Sequence, residues 1–217
     1  MLKLFFTFLL IGFWMKSQSQ IKALTENGKE VILYENNTWK YLSDSTSEIE
    51  NTVDSLKVNP NKFSKSPGSN FLVKSKNVNI GIYINPKKWA FLPHGDNEVN
   101  PEFRFSFKPS EAFALLISEK TEISLDNMAQ IALINAQRAS VDARIVKEEY
   151  RIVNNQKVLL LQISGTIKGI RFVYLGYYYS NENGTIQLIT YTSEKLFDGL
   201  KKELEEFLNG FVVVKTK

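Results

Sequence analysis

The chain has 217 residues, of which 43% are hydrophobic and 12% aromatic. This composition suits one packed domain with an additional segment, and it excludes a wholly disordered chain. The formal charge is only +4, with 27 basic and 23 acidic residues interspersed, which excludes the concentrated basic face of a nucleic-acid-binding protein. Because there is no cysteine, disulfides, thiolate metal sites and cysteine nucleophiles are excluded too.

Residues 1–19 have the pattern of a secretory signal peptide. Lys3 supplies a positive charge, residues 4–14 form an almost continuous apolar run, and residues 17–19 include small side chains for cleavage. The apolar run is too short for the roughly 20 residues that a membrane-spanning helix needs. We therefore expect an exported chain, periplasmic or extracellular, that is not stably inserted in a membrane after cleavage.

Residues 20–42 predict a small N-terminal β-meander. Turn signals at Asn27-Gly28 and Asn36-Asn37 separate three β-forming runs, and Trp39 and Tyr41 would share one face of the third. The segment resembles the short DGK…DGTW-type hairpin units found at the start of many exported bacterial proteins. Such a short segment cannot bury a core of its own.

Residues 43–70 predict a disordered linker. They are rich in Ser, Asn, Asp and Lys, contain Pro60 and Pro67-Gly68, and have few large apolar side chains. We expect the main domain to cover residues 71–217.

The first half of the main domain predicts three strands and a helix. Strands are expected over residues 81–84 and 103–107, where apolar and β-branched residues recur. Residues 112–118 are expected to form a further strand, although their sequence would also fit a helix. Ser124 is placed to cap a helix that ends near Ala139, with apolar residues at helical spacing.

The second half predicts a four-strand meander and a second helix. Tight turns at Asn154-Asn155, Lys168-Gly169 and residues 181–184 separate four strands between residues 144 and 193. An amphipathic helix follows and ends at Asn209-Gly210. Because the strands are apolar on both faces, the pattern predicts an α+β fold in which two amphipathic helices flank an antiparallel sheet.

The Tyr83-x-x-Pro86-x-x-Trp89 corner, followed by helix, meander and closing helix, resembles the PsbP-like fold family, which includes DcrB. The resemblance covers residues 71–214. It implies an α/β/α sandwich and an accessory, binding or assembly role, without catalysis or a cofactor. No contact residue or metal ligand is transferred from it.

The third strand of the meander carries the aromatic residues with most interest for binding. Alternation places Phe172, Tyr174 and Tyr178 on one face and Arg171, Tyr177 and Tyr179 on the other. One set must pack on a helix; the other either packs as well or lines a groove for a peptide, glycan or lipid. The candidate binding residues are Trp89, Arg171, Tyr177, Tyr179 and Tyr191.

Signals for catalysis are weak. His94 is the only histidine, and with Asp96 and Glu98 it forms either a metal-binding loop or a polar surface loop. Motifs for nucleotide-binding loops and hydrolase nucleophiles are absent. The acidic pairs Glu148-Glu149 and Glu205-Glu206 are interpreted as solvated faces.

These observations favour an exported, non-catalytic binding or accessory protein that contacts a protein partner in the bacterial envelope. The alternative is a carrier of a small hydrophobic or lipidic ligand in a cavity between sheet and helix, and a hydrolase is the weakest reading. An apolar cavity of several hundred Å³, on the order of the volume of known ligand pockets, would favour the carrier. A filled sheet with an exposed aromatic patch would favour protein contacts.

Overall fold

The computed structural model describes residues 21–25, 30–33, 39–41, 56–92 and 101–214. The chain divides into two compact units, Met1–Ile49 and Glu50–Lys217. The predicted signal peptide and the weak metal candidates His94, Asp96 and Glu98 lie outside the described residues.

The first unit contains a three-stranded antiparallel sheet in the order β1-β2-β3. Its strands are β1 (Ile21–Leu24), β2 (Glu30–Leu33) and β3 (Trp39–Tyr41). The two turn signals between these strands lie outside the described residues.

The second unit combines two sheets with two helices, which confirms the α+β class. An eight-stranded sheet has the order β4-β10-β11-β12-β13-β9-β8-β7, and a three-stranded sheet has the order β14-β6-β5. The elements are β4 (Val58–Phe63), β5 (Phe71–Lys74), β6 (Ile80–Ile84), β7 (Trp89–Phe91), β8 (Phe103–Phe107), β9 (Ala112–Glu119), α1 (Leu125–Ala139), β10 (Arg144–Val153), β11 (Gln156–Ile167), β12 (Ile170–Asn181), β13 (Gly184–Ser193), α2 (Glu194–Leu208) and β14 (Phe211–Val213).

The long meander β10 to β13 is antiparallel throughout, and its turns follow the local sequence. Asn154 and Asn155 both have positive φ, at 48° and 66°, and Lys168 and Gly169 have φ of 49° and 80°. Two consecutive positive φ values match the twist of the strands in a two-residue hairpin turn. These φ values confirm both predicted turns. Asparagine and glycine, which occupy three of the four positions, adopt this backbone readily.

The prediction of a disordered linker over residues 43–70 is wrong for β4. Val58–Phe63 pairs parallel to β10, with Tyr150 opposite Val58 and Val153 opposite Phe63. Its polar sequence suits an edge strand that buries few side chains, and Pro60 is tolerated there because an edge strand has a free side. The packed domain therefore begins before residue 71.

Different elements pack on the two faces of the eight-stranded sheet. The α2 face carries Val173, Leu175 and Tyr177, which share a core with α2 and the three-stranded sheet. The α1 face carries Tyr174 and Tyr178, which pack with α1. α1 packs mainly on β10, β11 and β12, whereas α2 packs on β12 and β13. Strand alternation thus separates two hydrophobic clusters.

Candidate functional site: the α1 groove

Two of the five predicted binding residues are buried on the α2 face. Trp89 is 3% exposed, and its ring centroid lies 4.3 Å from that of Phe207 and 5.2 Å from that of Phe107. Tyr177 is 1% exposed. Neither side chain is accessible to a ligand, so both are corrected from candidate binding residues to core residues.

Arg171 and Tyr179 lie on the same face and also have partners within the domain. The exposed Arg171 forms an ion pair of 3.3 Å with Glu194 at the start of α2. The ring of Tyr179 packs on Phe211 at 5.1 Å. The side chains of β12 that point to the α2 face therefore have partners within the domain.

Tyr191 alone among the five lies on the α1 face. Its ring is the middle member of a ladder across three strands, 5.4 Å from Phe113 and 5.6 Å from Tyr174. Burial raises the pKa of Tyr191, and the neighbouring Arg104 partly opposes this shift through its charge and a hydrogen bond. Tyr191 therefore links β8, β9, β12 and β13 on the α1 face.

A buried arginine organises the polar contacts of the α2 face. The Arg151 side chain is 5% exposed and binds Glu149 at 2.6 Å and Glu205 at 3.2 Å. It also donates to the Tyr177 hydroxyl at 3.2 Å and lies over the Phe63 ring, with 4.3 Å to the centroid. Glu149 and Glu205 are thus partners of Arg151, and the interpretation of both as solvated acids is wrong.

The electrostatics of this cluster match a structural role. Burial alone would raise the pKa of Glu149, but hydrogen bonds from Arg151 and Lys147 lower it. Burial raises the pKa of Tyr177 to about 12, against the opposing effect of Arg151. Tyr177 also donates to Asn209 at 2.8 Å. Each charged group therefore has a partner, as buried charges require.

Lys88 is likewise held by helix α2. Its ammonium group lies 2.6 Å from Glu203 and 3.5 Å from Glu206. The hydrogen bond to Glu203 raises the pKa of Lys88. The turn after Pro86 is therefore attached to α2 by two ion pairs.

The α1 face is less completely filled, and the reason lies in the sequence of α1. The helix begins as predicted, with the Ser124 hydroxyl accepting a hydrogen bond from the Asn127 amide at 3.4 Å. Its inward residues are the large Met128 near the start and then the small Ala132 and Ala136. Because alanine fills little space, the second half of α1 stands over a gap above the sheet.

This gap is a groove of about 400 Å³ between α1 and the sheet, which we call the α1 groove. The wall is formed by Ala132, Asn135, Ala136, Arg138 and Ala139 of α1. The floor is formed by Leu115, Ile117, Ile163, Tyr174, Tyr178, Gln187 and Ile189. The lining is mostly aliphatic and aromatic, and no carboxylate or histidine is among its residues.

Gly176 shapes the floor in the middle of β12. It lies on the α1 face between Tyr174 and Tyr178 and pairs with Ile189. A Cβ atom at this position would lie 3.1 Å from the Tyr178 ring and 3.3 Å from a side-chain carbon of Ile189. The glycine thus lets the Tyr178 ring lie close to the strand, as glycine in a strand often permits a close approach.

Two buried polar side chains line the groove without a protein partner. Gln187 is 7% exposed and Tyr178 is 2% exposed. The side chain of neither forms a hydrogen bond with the described residues, and both belong to the floor. Burial raises the pKa of Tyr178 well above its ordinary value, so the hydroxyl stays protonated and remains a donor. No polar side-chain atom in the described part of the chain is both fully buried and unpaired, so the polar atoms of Tyr178 and Gln187 are reached from the groove and are available to a ligand.

The sequence matches no protein-family model and no curated protein. Among solved structures, cyanobacterial PsbP from Synechocystis sp. matches with a TM-score of 0.50 and 14% identity, over 68% of this chain and 94% of that chain. LpqN of Mycobacterium tuberculosis, described as involved in cell envelope biogenesis, has a TM-score of 0.48 and 11% identity, over 67% of this chain and 90% of its own.

A third structure, from Bacteroides thetaiotaomicron, has a TM-score of 0.44 and 14% identity, and the match spans 68% of this chain and 49% of that chain. The likeness to cyanobacterial PsbP supports the PsbP-like fold expected from the Tyr83 to Trp89 corner and the order of elements. The DGK…DGTW resemblance of the N-terminal segment remains a prediction. Neither α1 nor α2 is long and apolar enough to span a bilayer, nor is any other helix in the described part of the chain.

Proposed function

We propose that this chain is an exported, non-catalytic binding protein that holds a small molecule with an apolar body in the α1 groove. The observation that carries the proposal is the pairing of an aliphatic lining with two polar side chains, Tyr178 and Gln187, that face the groove and make no hydrogen bond with the described residues. Apolar walls supply affinity, and a few placed polar groups orient the ligand.

The size of the groove supports this function. Its volume of about 400 Å³ falls within the range of roughly 300–1,000 Å³ that is usual for small-molecule sites. The floor offers a hydroxyl donor at Tyr178 and an amide at Gln187 that can donate and accept. A ligand with one polar group and an apolar chain or ring would satisfy both features.

Export is supported by the signal-peptide pattern of residues 1–19. A carrier in the envelope or outside the cell would shield an apolar molecule from water during transfer. No carboxylate, histidine, lysine, serine or threonine is among the residues that line the groove, which favours binding over turnover of the ligand.

The test is titration of the purified mature protein with dansyl-labelled undecanoic acid and with its methyl ester, followed by dansyl fluorescence. Ala136→Leu places a larger side chain in the groove and is expected to weaken binding roughly tenfold or more, because it occupies the volume of several methylene groups of the ligand. Ile134→Phe is the matched control, since Ile134 lies on α1 outside the groove and is 37% exposed.

The control should bind as the wild type does, and thermal melts should show that both variants fold. Binding of neither probe by the wild type would refute the proposal. So would equal binding by the wild type and a folded Ala136→Leu variant, because the probes would then bind elsewhere.

A second function, contact with an envelope protein, is favoured by an aromatic patch at two sheet edges. Phe71 on β5 and Phe91 on β7 are 49% and 48% exposed, and their rings meet edge to face at 6.4 Å. Exposed aromatic pairs are common at protein interfaces. Crosslinking in the native envelope should recover one specific protein with the wild type and lose it with Phe71→Ser/Phe91→Ser; co-purification of lipid alone would favour the carrier.

A further inference from the structure

The α1 groove has a guanidinium group on its helical wall. Arg138 lies in the last turn of α1, is exposed, and lines the groove. It forms no ion pair with any residue in the described part of the chain, in contrast to Arg151 and Arg171. Its charge is therefore available at the mouth of an otherwise apolar site.

A second guanidinium lies beside the floor. Arg104 on β8 is the cross-strand partner of Leu115, which belongs to the floor. Its described side-chain contact is with the hydroxyl of Tyr191, so this cation is also without a carboxylate partner among the described residues. The groove is thus flanked by positive charge on the helix side and on the sheet side.

No acidic side chain lines the groove to balance these charges. A cation near an apolar surface attracts an anion more strongly than it would in open water, because the local dielectric constant is lower. The planar guanidinium group also matches a carboxylate, with two parallel hydrogen bonds.

We propose that the ligand of the α1 groove is a fatty-acid-like amphiphile whose carboxylate binds Arg138 while its apolar chain lies over the floor. This inference rests on the proposed function and adds the chemical class of the ligand. Arg138 also lies where a cation stabilises the end of a helix. The test therefore needs a measurement that a helix-stabilising role alone would not change.

That measurement is the ratio of affinities for dansyl-labelled undecanoic acid and its methyl ester, which differ in charge and share the same chain. The wild type is expected to bind the acid about tenfold more tightly, as one hydrogen-bonded charge contact provides. Arg138→Gln should weaken acid binding about tenfold and leave ester binding unchanged, so that the ratio approaches one. Arg138→Lys should retain part of the preference.

Arg171→Gln is the matched control, because Arg171 lies on the α2 face and contacts Glu194. It should leave both affinities unchanged. Equal binding of acid and ester by the wild type, or an equal loss of both in Arg138→Gln, would overturn this inference while the groove remained a binding site. Binding of neither probe would overturn the proposed function and this inference together.

Discussion

The two faces of the eight-stranded sheet are built from the same strands but differ in how completely they are filled. On the α2 face, Arg151 has partners from three elements, and the neighbouring Tyr177 hydroxyl makes two hydrogen bonds. On the α1 face, the adjacent Tyr178 has no hydrogen-bond partner among the described residues and borders a groove. The comparison shows that two similarly buried neighbours on one strand differ in their surroundings: the Tyr177 hydroxyl is hydrogen-bonded within the domain, whereas Tyr178 borders unfilled volume.

The largest expected effect concerns the charge cluster of the α2 face. Arg151→Met would leave Glu149 and Glu205 without their buried cation. The free energy of unfolding should fall by about 3–5 kcal/mol, the usual cost of removing one member of a buried ion pair. Urea denaturation of the variant and of the wild type provides the measurement.

The control for this prediction is Arg171→Met, which removes an exposed ion pair on the same face. Its effect should be at most about 1 kcal/mol, because solvent screens exposed pairs. If both variants lost a similar amount of unfolding free energy, the buried contacts of Arg151 would not be the reason for the loss, and the α2 face would not owe special stability to them.

Substitution of the adjacent Tyr177 and Tyr178 compares the stability contributions of the two faces directly. Tyr177→Phe removes hydrogen bonds to Arg151 and Asn209 and should destabilise the protein by about 1–3 kcal/mol. Tyr178→Phe removes a hydroxyl without a described partner, so the free energy of unfolding should change by less than about 0.5 kcal/mol. Thermal and urea unfolding of both variants would decide; equal losses would contradict the assignment of Tyr178 to a binding floor.

The prediction with the smallest effect at neutral pH concerns the stability of the folded protein at alkaline pH. Burial raises the pKa of Tyr177 to about 12 in the folded protein, against about 10 in an unfolded chain. The folded state then holds a proton that the unfolded state has released, so stability is complete below about pH 10 and is lost as pH rises toward 12. Melting temperature against pH should show this decline.

The same titration separates the two tyrosines. Arg151 opposes the shift at Tyr177, whereas burial alone raises the pKa of Tyr178. Both Tyr→Phe variants should flatten the alkaline decline, and Tyr178→Phe should flatten it more. An unchanged decline in Tyr178→Phe would show that its hydroxyl is better solvated through the groove than its burial implies.

Local sequence signals predicted the meander and the start of α1 well. The turns at Asn154-Asn155 and Lys168-Gly169 contain residues that tolerate positive φ, and Ser124 is a standard helix cap. These features depend on neighbours in the chain, so they can be inferred from short patterns.

Features that depend on distant residues could not be predicted in this way. The polar strand β4 forms because its backbone pairs with β10, far along the chain. Arg151 meets Glu205 through tertiary packing, and a sequence gives no sign of which charges will be paired in the core. Composition alone therefore described β4 as linker and Glu205 as solvent-facing.

The α1 groove left a partial signal in the sequence. The inward face of α1 changes from Met128 to Ala132 and Ala136, and β9 contributes the large apolar residues Leu115 and Ile117 to the floor below. A helix whose apolar stripe shrinks to alanine along its length indicates unfilled volume above the opposing sheet. Recognising this required knowing that β9 lies beside β13.

The pairing of β4 with β10 also covers backbone groups of a long strand that could otherwise pair with other copies of the chain. In the eight-stranded sheet, the short, polar β4 forms one edge, and Pro60 removes one of its hydrogen-bond donors. A chain cut at residue 71 would lose this cover and present the ten-residue strand β10, with its unpaired backbone groups, to other copies of itself. The short strand β4 thus covers the backbone edge of β10, and we expect soluble fragments of this domain to begin before Val58.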